Sequence, residues 1–157
     1  MTNRIQNLID AGRLVREASS DGEVAGLWAN ALEAFADACN SVGVMSAKGR
    51  LVRAYDAGRL AATALVRSRG LRVRASNHHE VTLAAAAFVS EVDLALALGD
   101  LEDLRTVRSD AEYSWESNVS PADAEHALEV VRSVLRNGAL DLRQHRPSLA
   151  DRIHLPD

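Results

Sequence analysis

Apolar residues in this chain recur at three- and four-residue intervals in one segment after another, and nowhere does the every-second-residue alternation of a strand appear. Val24, Leu27, Trp28, Ala31, Leu32, Phe35 and Ala38 share one helix face, and Leu101, Leu104, Val107 and Ala111 share another. Local propensity agrees, because alanine is abundant and the 157 residues hold only three prolines. The expectation is an all-α fold: an antiparallel helical bundle of about five to six helices, in a single domain over residues 1–157. A chain of this length buries roughly 68–70% of its unfolded surface.

Cap signals set the expected boundaries. A first helix over residues 3–18 carries Ile5, Leu8, Ile9, Gly12 and Val15, with Thr2 as its cap. Ser20 and Glu23 match a capping box at the start of a helix over residues 21–40. A third helix runs over residues 47–68, with small residues at its centre and Gly70 as its stop. Residues 70–77 then read as a basic loop, and Asn77 with Glu80 caps a fourth helix. Gly99 and Asp100 interrupt that helix. Ser120, Pro121 and Asp123 are N-cap, N1 and N3 of a last helix that stops near Asn137 and Gly138. The tail, residues 139–157, has weak periodicity and is expected to be ordered against a partner or mobile.

No apolar run approaches the ~20 residues of a membrane helix, so no membrane association is expected. The polar N-terminus lacks an apolar signal core, and Cys39, the single cysteine, has no intrachain disulfide partner. Both point to a cytoplasmic protein in which Cys39 is a small buried hydrophobe. The net charge of −4 argues against a general nucleic-acid binder, but its distribution is uneven. Between Lys48 and Arg74 there are eight basic residues and one acid, Asp56, so this segment carries +7 and the remainder −11. Arg67, Arg69, Arg72 and Arg74 are the candidate phosphate contacts, and the expectation is an anion-binding face. The competing reading is a solvated helix side.

The stretch Leu104–Trp115 carries the chemistry. Arg105 and Arg108 sit three apart, followed by Ser109, Glu112, Tyr113 and Trp115, where aromatics are otherwise scarce. Arg108 and Glu112, four apart, also suit a plain surface ion pair worth a few tenths of a kcal/mol, about 0.2–0.5. His78 and His79 are adjacent and diverge on a helix, so they do not make a two-histidine metal pair. No phosphate-cradling glycine loop and no zinc spacing occur, and neither a metal nor a cofactor is expected.

Arg108-Ser109, with Tyr113 four intervening residues on, resembles the arginine–polar–histidine signature of HEPN domains, with Tyr113 in the histidine's place. Trp115 stands where some toxins of that family carry a tyrosine. The stretch from Tyr55 through Arg59 to Leu65 is similar to the family's Tyr-Asn-Ala-Ala-Arg-type helix. The helix led by His78 and His79 and the start from Val119 to Ala124 fit as well. The likeness covers about residues 45–137. It implies a four-helix core, a two-fold homodimer with the arginine motif at the interface, and an RNA-engaging protein. One form would be a metal-independent endoribonuclease, the toxin or effector of a toxin–antitoxin or defence module. There Arg108 would stabilise phosphate charge, Tyr113 would act as acid or base, and Arg105 would join the RNA contacts. The other form is a non-catalytic HEPN module that binds a nucleotide or a protein partner, such as a nucleotidyltransferase or an antitoxin. The sequence leaves enzyme and binding module both open.

Overall fold

The computed structural model describes residues 2–74, 76, 78–115 and 118–157. The elements run α1 (Thr2–Asp10), β1 (Leu14–Arg16), α2 (Asp21–Cys39), α3 (Ala47–Ser68), β2 (Leu71–Val73), α4 (His78–Val89), α5 (Val92–Tyr113) and α6 (Pro121–His145), then a 3-10 turn at Pro147–Leu149. Helices hold 74% of the described residues, which form an all-α bundle with a small antiparallel sheet. Among the described residues no helix is long and apolar enough to cross a membrane.

The bundle closes around α3, which packs on α2, α4, α5 and α6. Its sequence allows this because Ala54, Ala57, Gly58, Ala61, Ala62 and Ala64 are all buried, and small side chains let neighbouring axes come close. Gly58 marks the tightest approach: a Cβ there would sit 2.7 Å from Leu101 Cδ2 of α5. That contact fixes α5 against α3 and so sets the height of every residue further along α5. Trp28 is fully buried, packs against Gly138 of α6, and donates its indole N–H to His154 O at 2.9 Å.

Ser20, Ser46 and Ser120 each accept a backbone N–H from three residues on, at 3.1, 3.0 and 3.1 Å. Such caps are worth about 1 kcal/mol apiece. At α6 the box is reciprocal, since the Asp123 carboxylate accepts from Ser120 N–H. At α2 the Glu23 carboxylate instead turns to Arg67. The side chain of the expected cap Thr2 and the whole of the expected cap Asn77 lie outside the described residues, as do Glu116 and Ser117.

Four boundaries differ from the sequence expectation. The first helix ends at Asp10, because Gly12 takes a left-handed φ of +73° and turns the chain into β1. β1 pairs with β2 in the register Leu14↔Val73 and Arg16↔Leu71, so part of the expected basic loop is a strand. The break between α4 and α5 falls at Ser90 and Glu91, while Gly99 and Asp100 lie inside α5. Gly99 faces open space, so it costs helix propensity without forcing a break. Finally, α6 continues through Gly138 to His145, because the glycine is where Trp28 needs room. The tail folds back with Leu149 and Ile153 fully buried, and Arg143 Nε donates to Ile153 O at 2.8 Å.

Candidate functional site

The last turns of α5 and the first turn of α4 form the walls of a polar cleft of about 350 Å³. Arg105, Arg108 and Ser109 come from α5; Ser76, His78, His79 and Glu80 come from the start of α4 and the residues before it. Tyr55 of α3 ties the two walls together. Its buried ring lies 6.1 Å from the His79 ring, tilted by 47°, and Arg108 Cζ stands over the same ring at 5.6 Å.

The polar atoms here are incompletely spent. Tyr55 Oη, Arg59 Nε, Arg108 Nε and Glu102 Oε2 are buried and make no hydrogen bond among the described residues. The remaining valences are used locally: Arg105 Nε donates to Glu102 Oε1 at 2.7 Å, and Arg108 Nη2 pairs with Glu112 at 3.0 Å. Burial, aided by the Glu102 charge, pushes the Tyr55 phenol up to about 12 against the opposing arginines 108, 105 and 59. Tyr55 therefore stays neutral. Burial also pulls the His79 imidazole below its ordinary value of 6.5, and the positive charges of Arg59, Arg108 and His78 add to this against Asp56. An imidazole held below its ordinary value is mostly neutral at neutral pH and can accept a proton.

The sequence-derived candidates separate into three groups. Arg105, Arg108 and Ser109 meet on the cleft, with Glu112 against Arg108. Tyr113 and Trp115 do not reach it: they are 78% and 91% exposed, and α5 stays helical through Tyr113. The basic segment does not form one face. Arg67 is buried and directs its five N–H groups to the Glu23 carboxylate and to the carbonyls of Glu17, Ala18 and Leu71. Arg69 makes two bonds to Asp141. Both guanidiniums are turned inward because the strand pair and the helix ends leave carbonyls that only long donors reach. Arg50 is likewise buried and paired with Glu125, and Arg53 is bonded to Asp37. Arg72 and Arg74 are exposed but outside the Arg108 cleft, and Arg72 meets Glu17 at 3.4 Å.

The sequence reading assigned no site role to Tyr55, Arg59 or His79. The available signal was the Tyr55–Arg59 spacing of four on α3, one turn apart on the stripe that faces α5. Cys39 is half-buried, and burial pushes its thiol up, as suits a packing residue. Among the described residues no group of three or more His, Cys, Asp and Glu side chains is gathered to hold a metal ion. No protein-family model, curated protein or solved structure matches the chain.

Proposed function

We propose that this chain is a HEPN-like, RNA-engaging protein that cuts a phosphodiester at the α4–α5 cleft without a metal, as the toxin or effector of a toxin–antitoxin or defence module. The observation that carries the reading is the shared Tyr55 ring, which holds His79 and Arg108 together. The histidine that a HEPN-type site needs then comes from α4 instead of from five residues beyond the arginine. In the reaction the 2′-oxygen attacks phosphorus and its proton passes to His79. Arg108, with Arg105, stabilises the charge that grows on the phosphoryl oxygens. The bond to the 5′-oxygen breaks, that oxygen takes a proton from water, the hydroxide so formed is neutralised by the proton held on His79, and the products are a 2′,3′-cyclic phosphate and a 5′-hydroxyl. Tyr55 neither gives nor takes a proton; it positions the pair.

The test is cleavage of single-stranded RNA in EDTA by the parent, His79→Asn and Arg108→Ala, with end-group analysis of the products. Cyclic-phosphate ends from the parent and at least about a hundredfold loss in either variant are expected. RNA binding without cleavage in all three sinks the nuclease reading. What would remain is the non-catalytic module, binding a nucleotide or a partner such as a nucleotidyltransferase or an antitoxin. The closed Arg108–Glu112 pair favours that second reading, because it already gives the guanidinium a counter-ion.

A homodimer belongs to the same proposal. Val92 and Leu96 are exposed on α5, beside an apolar groove lined by Leu83, Ala84, Ala87 and Ala95 between α4 and α5. Light scattering should give about twice the 16.9 kDa chain mass. A monomer at micromolar concentration removes the two-fold arrangement.

A further inference from the structure

A second cleft, of about 330 Å³, opens between α2, α3 and α4, and His78 lines both it and the Arg108 cleft. The two spaces therefore meet at one side chain. The second differs in character: Leu27, Val66 and Val73 give it flat apolar walls. Its volume lies at the lower end of the range for small-molecule sites, about 300–1,000 Å³.

Among the polar groups on those walls, Thr63, Thr82 and Glu23 offer acceptors, while the donors of Arg67 are already spent on Glu23 and on backbone carbonyls. Thr63 Oγ1 donates to Arg59 O at 2.9 Å and Thr82 Oγ1 donates to His78 O at 2.6 Å. A hydroxyl has one hydrogen, so both threonines have only lone pairs left to offer. Glu23 adds a carboxylate that two bonds from Arg67 hold in place and in its ionised form. Arg72, at the mouth, is the exposed cation. A ligand suited to this space is planar and apolar in body and presents N–H donors inward. It also carries an anion toward His78 and Arg108.

We propose that this second cleft is a base subsite for a ribonucleotide whose base bears an exocyclic amino group, with the phosphate in the Arg105–Arg108 cleft. The inference rests on the phosphate reading of that first cleft and adds the base class. Adenine and cytosine present an amino group to Thr63, Thr82 and Glu23. Hypoxanthine and uracil put a carbonyl oxygen in the same place, lone pair against lone pair, so these acceptors meet no donor from the base.

Calorimetric titration of the full chain with AMP, CMP, IMP, UMP and inorganic phosphate tests this. AMP and CMP should bind about tenfold more tightly than IMP and UMP, the size of one lost hydrogen bond. Thr63→Val keeps the shape, removes an acceptor, and should shrink that preference to about twofold. Leu27→Trp fills the cleft and should weaken AMP about tenfold; circular dichroism checks that both variants keep the fold. Equal affinity for all four nucleotides, or a preference that survives both substitutions, overturns the base subsite. If binding without base preference is still lost in Arg108→Ala, the phosphate reading stands and only this inference fails. No binding of nucleotide, phosphate or RNA sinks both.

Discussion

Arg67 and Arg108 both lie near the C-terminal ends of long helices, on α3 and α5, and the fold uses them in opposite ways. Arg67 is saturated: every N–H has an acceptor, and the side chain joins α3 to the turn before α2 and to β2. Arg108 is unsaturated: one nitrogen meets Glu112, its Nε is buried without a bond among the described residues, and its face rests on Tyr55 in an open cleft. Sequence treats the two alike, as arginines at helix ends. The difference lies in where free carbonyls gather, and that is a property of how the chain closes. A guanidinium with all its donors spent holds structure together; one with donors left over beside a cleft is available to a ligand.

The largest expected effect separates the two by stability. Arg67→Ala strands three carbonyls and the Glu23 carboxylate, and should cost about 3–5 kcal/mol in urea unfolding, the range for breaking a buried pair. Arg108→Ala should cost only about 1 kcal/mol, since it removes a single partly buried i,i+4 pair and one cation–π contact. Equal losses would erase the distinction. Acid sharpens it further. The Arg67 hydrogen bond holds the Glu23 carboxyl below its ordinary 4.5, so the contribution is complete above that value and is lost as pH falls through the lower, folded one. In Arg67→Ala that acid sensitivity should fade.

The second effect runs the other way, in RNA affinity. Arg105→Ala and Arg108→Ala should each reduce the salt slope of RNA binding by about one, the signature of one lost phosphate contact. Arg74→Ala, exposed and outside the cleft, should leave the slope as it is. A slope that follows Arg74 and ignores Arg105 would move the anion site to the strand end.

The third effect concerns His79 and pH. Its folded value is lowered, mainly by burial, so below pH 6.5 the unfolded chain binds more protons than the folded one. Stability therefore falls as pH drops through 6.5 toward the lower folded value, and levels off beneath it. His79→Gln should flatten that slope in melts between pH 7 and 5. Cleavage, if His79 is the base, should keep its plateau somewhat below pH 6.5 before its acid limb begins. An acid limb starting above 7 would assign the titrating group elsewhere.

These contrasts show what the sequence made legible. Helix identity was readable because α2, α3 and α6 repeat their apolar pattern over many turns, and α2 and α6 carry Ser20 and Ser120 as cap signals. The three-residue strands were not, since a run as short as Leu71–Val73 gives period two no room to show. The order of the tail was not legible because one bond that ties it down comes from Trp28, more than a hundred residues earlier. At the site, Arg105, Arg108 and Ser109 were readable from one helix. His79 was not, because it meets Arg108 only through the Tyr55 ring of a third helix. Arg67 and Arg69 looked available because most of their acceptors, on residues 17–23 and Asp141, are remote in sequence.

The smallest expected effect is at Tyr113, and it tests the site most directly. The HEPN-like spacing puts Tyr113 in the place of the motif histidine, five residues after Arg108. Along a regular helix five residues turn the direction by ~140°. Because α5 remains helical through Tyr113, the phenol points away from the cleft and is 78% exposed. Tyr113→Phe should therefore leave RNA cleavage within about twofold of the parent, the scatter expected of a neutral surface change. Tyr113→His, which restores the linear motif, should add no activity, and His79→Asn should not be rescued by it. A strong loss in Tyr113→Phe would mean that the hydroxyl enters a site from the other protomer of a two-fold dimer. That loss would then vanish when the protein is diluted below its dimerisation constant, whereas any loss at His79 would not.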